Sequence, residues 1–180
     1  MLPPLLQPEL LSFVPDRPRL KLTRPGQLHL TLHFHGELPD DRVLELKREL
    51  AGIRRTRFSL QIAGTGVFEQ EPGLRGVLWA GVHLNPPLQR LYDAVTQLVA
   101  KLGLRLEDRP WSPHITLARY SGGALEEEDR HRFLKRGQRL SAEFSVEQFE
   151  LMQSKPDPQG SVYIPRAVFL LSEDLSSGNG

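Results

Sequence analysis

The chain has 180 residues, 39% hydrophobic and 25% charged, with a formal net charge of +1 and no cysteine. That length allows one sizeable core or two small lobes sharing an interface, and the charge balance excludes a broad polyanion-binding surface of the kind a long nucleic-acid duplex needs. Without thiols, disulfides, Cys-based zinc sites and cysteine nucleophiles are excluded, so any catalysis must use His, carboxylates, hydroxyls or Lys/Arg.

No run approaches the ~18 apolar residues a membrane span needs. MLPPLLQPELL at the N-terminus lacks a basic n-region and carries Pro3, Pro4 and Pro8, which argues against a signal peptide. A cytoplasmic monomer is expected. The first patterned stretch is LHLTLHF, residues 28–34. In an extended chain Leu28, Leu30, Leu32 and Phe34 share one face, while His29, Thr31 and His33 share the other. PDDRVLELKRELAG then predicts a helix with acidic residues at its start, apolar positions Val43, Leu46, Leu50 and Ile53, and Gly52 near its stop. Two strands follow, one alternating through Phe58, Leu60 and Ile62, the other through Leu78, Ala80, Val82 and Leu84. Asn85 is placed to cap a helix with Pro86 and Pro87 in its first turn and Leu88, Leu91, Tyr92, Val95, Leu98, Val99 and Leu102 at helical spacing, stopped by Gly103. SPHITLAR, residues 112–119, is a second strand with an apolar residue between a histidine and a threonine. A charged helix from about Leu125 to Arg136 and apolar segments at 144–152 and 162–171 complete the pattern.

The two His-x-Thr motifs, His29/Thr31 and His114/Thr116, open halves of the same order: motif strand, helix, strand, strand. Phe58 lies 29 residues beyond His29, and Phe144 lies 30 beyond His114. A repeat of about 85 residues (114 minus 29) points to duplication about a pseudo-twofold axis that turns the two histidines toward each other. The expected unit is one bilobal domain over 1–171, with a first repeat at about 20–84, a second at about 110–171, and 172–180 as a disordered tail.

Two facing imidazoles suit a reaction that takes a proton on one side and delivers one on the other near neutral pH. Phosphodiester cleavage has that requirement: a base for the attacking oxygen, an acid for the leaving oxygen, and donors for the phosphoryl oxygens, which Thr31 and Thr116 could supply.

LHLTLHF followed by GE, RPWSPHITLAR, GVFEQEPGLRGVLWAGV and FELMQSKPDPQGSVY resemble the 2H phosphoesterases, specifically the bacterial and archaeal RNA 2',3'-cyclic phosphodiesterases, also called 2'-5' RNA ligases. The resemblance runs from about Leu20 to about Leu171. It implies an α+β fold of two antiparallel sheets forming a V-shaped cleft with helices on the outer faces, and no metal or other cofactor. The activity it implies is hydrolysis of RNA 2',3'-cyclic phosphate ends, or of short oligonucleotides and nucleotides bearing them, to 2'-phosphates, together with reversible ATP-independent 2'-5' joining. It makes His29 and His114 the catalytic pair, with His114 assigned as base and His29 as acid. Thr31, Thr116 and Arg119 become substrate-binding residues, joined by Tyr163 in a closing G-x-x-Y segment. Arg119 has the wrong parity for the His114 face in a straight strand, so a bulge or strand end must redirect it. The chain departs from the family pattern in a trimmed N-terminal lobe and in His35, where an apolar residue is usual.

His33 and His35 form H-x-H, a spacing that can chelate zinc, so a zinc hydrolase is one competing reading and a non-catalytic RNA-end binding module another. His29 and His33 lie about 13 Å apart along an extended strand, too far to share an ion. His83 and His131 are expected at the surface, as are the basic clusters RRTR (54–57) and RHRFLKR (130–136). Phe68, Trp79, Trp111 and Tyr163 are the aromatic candidates for stacking on a terminal base; Trp79, inside an apolar strand, is expected in the core.

Overall fold

The computed structural model describes residues 1–71, 74–123, 125–157 and 160–173. A 3-10 turn at Pro4–Leu6 leads into α1 (Gln7–Ser12), followed by β1 (Leu20–Leu22), α2 (Asp40–Leu50), β2 (Phe58–Glu71), β3 (Arg75–Val82), α3 (Pro86–Lys101), β4 (His114–Ser121), α4 (Glu127–Gly137), β5 (Ser141–Val146), β6 (Gln148–Asp157) and β7 (Gly160–Leu170). The fold is α+β with antiparallel sheets: a five-stranded sheet in the order β1-β4-β3-β2-β5 and a two-stranded sheet β6-β7. No helix among the described residues is long and apolar enough to cross a membrane.

The helices form where local chemistry predicts them. Asn85 Oδ1 accepts the Leu88 N–H at 3.0 Å, and Leu88, Leu91, Val95 and Val99 fall on one buried stripe of α3. In α2, Asp40 and Asp41 at the start and Lys47 and Arg48 at the end match the sign of the helix dipole.

Burial divides the molecule into two cores. In the first, Leu10 of α1 and Phe133 of α4 pack with Leu60, Ile62, Leu78, Ala80, Ile115 and Leu117 of the five-stranded sheet. In the second, Leu46 and Leu50 of α2 and Leu91, Val95 and Val99 of α3 pack with Phe149 of β6 and Leu171. Leu32, Phe58 and Val146 touch both. The sequence halves therefore interleave: strands β2 and β3 of the first half pack with α4 of the second, and β6 and β7 of the second half pack with α2 of the first.

Several expectations are corrected. Residues 28–34 do not form a regular strand: the segment is joined to β4 through a single bridge, Leu30 to Ile115, and it bends at Leu32. Phe34 is consequently 60% exposed rather than on the apolar face, while Leu28 is fully buried. Leu84 is also exposed, because β3 ends two residues earlier at Val82. Trp79 is only half-buried and lies outside both cores. Its neighbours Leu78 and Ala80 take the core face, so alternation turns the indole outward. The N-terminal segment supplies α1 and the edge strand β1, and Arg17 pairs with the buried Asp129 at 2.6 Å to fasten it to α4. Ser172, placed in the expected tail, bonds in both directions to the backbone at Arg55 and Arg57; residues 174–180 lie outside the described residues.

Candidate active site

The bridge between Leu30 and Ile115 sets the geometry of both motifs. Carried one residue either way, its antiparallel register puts His29 opposite Thr116 and Thr31 opposite His114. All four lie on the face away from Leu30 and Ile115. His29 and His114 are diagonal neighbours in this register, with backbones roughly 7–8 Å apart.

Each imidazole is held by the backbone in the same way. His29 Nδ1 lies 2.8 Å from the carbonyl of Gln27, and His114 Nδ1 lies 2.7 Å from the carbonyl of Ser112, two residues upstream in each case. A carbonyl only accepts, so Nδ1 carries the hydrogen and Nε2 is left as the free reactive nitrogen. The same bond persists when the ring is protonated, so each histidine can act as base or acid without turning.

An aromatic ring meets each histidine edge-on. Tyr163 of β7 stands 4.2 Å from His29 between ring centroids, and Phe68 of β2 stands 4.9 Å from His114. Trp79 lies beside Phe68 at 4.9 Å and His114 at 6.2 Å. Its indole occupies the space over Gly66, where an added Cβ would sit 2.0 Å from the ring.

Arg119 reaches this face through an irregularity in β4. Leu78 pairs with Ala118 but Trp79 pairs with Thr116, so Leu117 is an extra residue between them. Leu117 and Ala118 are both buried, and Arg119 emerges on the side of His114 and Thr116. Burial lowers the His29 pKa; the Gln27 carbonyl opposes the shift, the N-terminal ammonium and Arg119 add to it, and Glu150 counters it.

Two cross-connections hold the motif backbones. Trp111 Nε1–H donates to the carbonyl of Thr31 at 3.0 Å, and the hydroxyl of Thr23 donates to the carbonyl of Thr116 at 2.9 Å. The loop between β1 and His29 is tied to the β6-β7 hairpin by an Arg24–Asp157 ion pair and by the Tyr163 N–H donating to Gln27 Oε1 at 2.6 Å. Sequence reasoning singled out the two histidines, the two threonines, Arg119 and Tyr163, which lie near one another in the structure. It missed the carbonyls of Gln27 and Ser112 and the two clamps, because a backbone acceptor has no side-chain signature and Thr23 carries no motif.

His33 and His35 belong to a different structure. Their rings lie nearly parallel with centroids 6.1 Å apart, and His33 stacks on Tyr92 at 4.8 Å, which stacks on Trp111 at 4.0 Å. His33 Nε2 is engaged by Thr96 Oγ1 at 2.9 Å. Parallel stacked rings do not converge their nitrogens on one ion, and among the described residues no three His, Cys, Asp or Glu side chains are grouped to hold a metal. His83 and His131 are exposed, and the Arg130 and Arg132 side chains of the basic cluster in α4 pair with Glu127 and Glu128.

The family model of the 2'-5' RNA ligase superfamily matches residues 8–158. The chain belongs to this superfamily. A relative from Archaeoglobus fulgidus, an RNA 2',3'-cyclic phosphodiesterase, is 31% identical over 150 residues, covering 83% of each chain. One of the same name from Thermus thermophilus is 33% identical over 77% of this chain and 69% of its own. A crystal structure of the Thermus thermophilus protein TT0787 superposes with a TM-score of 0.75 at 29% identity, covering 96% of this chain and 95% of that one. Escherichia coli LigT complexed with 3'-AMP shares the fold, with a TM-score of 0.76 at 22% identity over 96% of this chain and 95% of that one.

Proposed function

We propose that this chain hydrolyses the 2',3'-cyclic phosphate at RNA ends to a 2'-phosphate, using His29 and His114 as a paired acid and base and no metal. The observation that carries the reading is the matched hold on the two imidazoles, which leaves two Nε2 atoms free on one surface, each opposite the other motif's threonine. Family membership and the names of the relatives support the substrate class.

In this mechanism water attacks phosphorus and gives its proton to His114 Nε2. The P–O3' bond breaks as His29 Nε2–H protonates O3', and the phosphate stays on O2'. Thr31, Thr116 and Arg119 hold the phosphoryl oxygens, with Tyr163 beside His29 as a wall of the pocket. His29 is a stronger acid for being buried, and the anionic substrate offsets the positive charge of Arg119 beside it. A 5'-hydroxyl in place of water yields a 2'-5' linkage by the same steps, and the joined product runs backwards with the two roles exchanged. Both proton transfers belong to side chains, so no metal-generated hydroxide is required.

The test is a 2',3'-cyclic-phosphate-ended RNA incubated with the protein in EDTA. Turnover to a 2'-phosphate is expected. Loss of turnover restored by zinc would sink the metal-free mechanism, and a 3'-phosphate product would overturn the choice of leaving oxygen.

A further inference from the structure

Tyr92 of α3 lies between two other rings. The Trp111 indole stacks on it at 4.0 Å between centroids and 1° between planes, and the His33 imidazole at 4.8 Å and 9°. Side by side on one face, two rings that close and that parallel would overlap, so they take opposite faces of the phenol. Each leads into one motif. Trp111 donates to the Thr31 carbonyl and is followed by Ser112, whose carbonyl holds His114 Nδ1. His33 lies two residues beyond Thr31. A closed circuit results: from the Thr31 carbonyl to the indole, through Tyr92 to His33, and back along the chain past Leu32 to Thr31.

The hydrogen bonds give His33 a part unlike that of His29 and His114. The Thr96 hydroxyl has one hydrogen, which goes to the Tyr92 carbonyl at 2.8 Å, so Thr96 Oγ1 accepts from His33 Nε2–H at 2.9 Å. His33 therefore carries its hydrogen on Nε2, the tautomer opposite to that of the two reactive rings. Burial first, and then the neighbouring His35, lower its pKa, which keeps the ring neutral near pH 7. With Nε2 engaged and one face on Tyr92, His33 fixes the chain and moves no proton. Tyr92 and Thr96 lie one helical turn apart on α3, beside its buried stripe of Leu91, Val95 and Val99, so the circuit is mounted on a rigid element. Residues 28–34, by contrast, meet β4 through the single bridge at Leu30.

We propose that Tyr92, held between Trp111 and His33, sets the position of the first His-x-Thr motif against the second, with His33 and Thr96 as positioning residues that take no part in proton transfer. The proposal rests on the paired-histidine reading given above and adds to it residues outside both motifs. The Leu30–Ile115 bridge fixes the register of the two motifs, and the circuit fixes the orientation of the chain that continues from Thr31. His35, 6.1 Å from His33 between ring centroids, closes no part of the circuit.

The experiment measures kcat, KM and the pH profile on cytidine 2',3'-cyclic phosphate, and the exchange rate of the Trp111 indole N–H by NMR. Wild type is compared with Tyr92→Leu, Tyr92→Phe, Thr96→Val, Thr96→Ser and His33→Gln. Tyr92→Leu should lower kcat about two- to tenfold, the order set by the worth of one aromatic pair, with KM unchanged and the indole N–H exchanging faster. Thr96→Val should show a smaller loss of the same kind. Tyr92→Phe keeps the ring and Thr96→Ser keeps the hydroxyl, so both should restore the two readouts. His33→Gln keeps an N–H for Thr96 but cannot titrate; both limbs of its pH profile should remain, with kcat within about tenfold of wild type. Wild-type kcat in Tyr92→Leu and Thr96→Val, with only a lowered Tm, overturns the proposal. So does a raised KM at unchanged kcat, which would place the rings against the substrate, or a lost limb in His33→Gln, which would give His33 a proton to move. Should Tyr92→Leu not fold, the Thr96→Val and Thr96→Ser pair decides the same question. If wild type turns over no cyclic phosphate, the underlying activity is refuted, and equal indole exchange in wild type and Tyr92→Leu then refutes the circuit on its own.

Discussion

Replacing Trp111 by Phe tests whether the clamp on the first motif matters for chemistry. Phe keeps a ring over Tyr92, where the indole now stacks at 4.0 Å and 1°, but it has no donor for the Thr31 carbonyl. Thr31 is exposed, so water can reach the freed carbonyl and the cost is that of a net hydrogen bond, about 0.5–1.5 kcal/mol. The smaller ring buries less area, which adds under about 1 kcal/mol. A total of about 1–2 kcal/mol corresponds to a fall in Tm of roughly 2–8 °C for a chain of this size. If about 1 kcal/mol of that is lost from the transition state, where His29 and Thr31 must be in register, kcat falls about fivefold.

Thermal melts and steady-state kinetics on a 2',3'-cyclic nucleotide measure both quantities in one preparation. Thr23→Val, which removes the matching bond to the Thr116 carbonyl without changing side-chain shape, should behave alike. A lowered Tm with unchanged kcat in both variants would show that the clamps stabilise the fold and do not position the motifs. A loss beyond about a hundredfold would also refute the reasoning, because that scale belongs to a group that transfers a proton.

Three further outcomes are expected. His29→Ala and His114→Ala should each lower kcat at least about a hundredfold, and the double variant should cost far less than the product, since either loss already disables the paired route; fully multiplicative losses would contradict this. The kcat/KM profile should be bell-shaped, with one limb below the ordinary histidine value because burial lowers the His29 pKa. Glu150→Gln removes an influence that raises it and should move that limb to still lower pH, as a proton NMR titration of His29 would also report. His29, His33 and His35 all have pKa values lowered, first by burial, so below about pH 6.5 the unfolded chain binds more protons than the folded one. Stability should therefore decline as pH falls from about 6.5 toward the lowered values and then level off, and urea melts of His35→Leu should show a shallower decline with turnover nearly intact.

Much of this architecture is legible residue by residue. Asn85, the two prolines after it and the Leu88–Val99 stripe specify α3 through local capping and periodicity, and the alternation of Leu78, Ala80 and Val82 specifies the core face of β3. The wrong parity of Arg119 is itself informative, because it demands the extra residue that Leu117 provides. What stayed illegible depends on partners distant in sequence. The 28–34 segment alternates like a strand, yet only Leu30 meets a strand partner, while the Thr31 carbonyl goes to an indole 80 residues away. Trp79 reads as apolar core because composition does not reveal that the opposite face of its strand is also a lined surface.

The matched environments of the two histidines bear on direction as well as rate. The carbonyls of Gln27 and Ser112 impose the same tautomer, Tyr163 and Phe68 present the same edge, and a side-chain donor holds the backbone of each threonine. Strands β2 and β3 of the first half pack with α4 of the second, and β6 of the second packs with α2 of the first, so each sequence half completes a core of the other. A pair held this evenly would suit the proposed reversible joining, in which the roles of base and acid are exchanged. The surroundings of His29 lower its pKa: burial, the N-terminal ammonium and Arg119 are only partly offset by the Gln27 carbonyl and Glu150. In the proposed mechanism, burial foremost, with the N-terminal ammonium and Arg119 adding to it, makes the His29 proton easier to give up to the leaving oxygen.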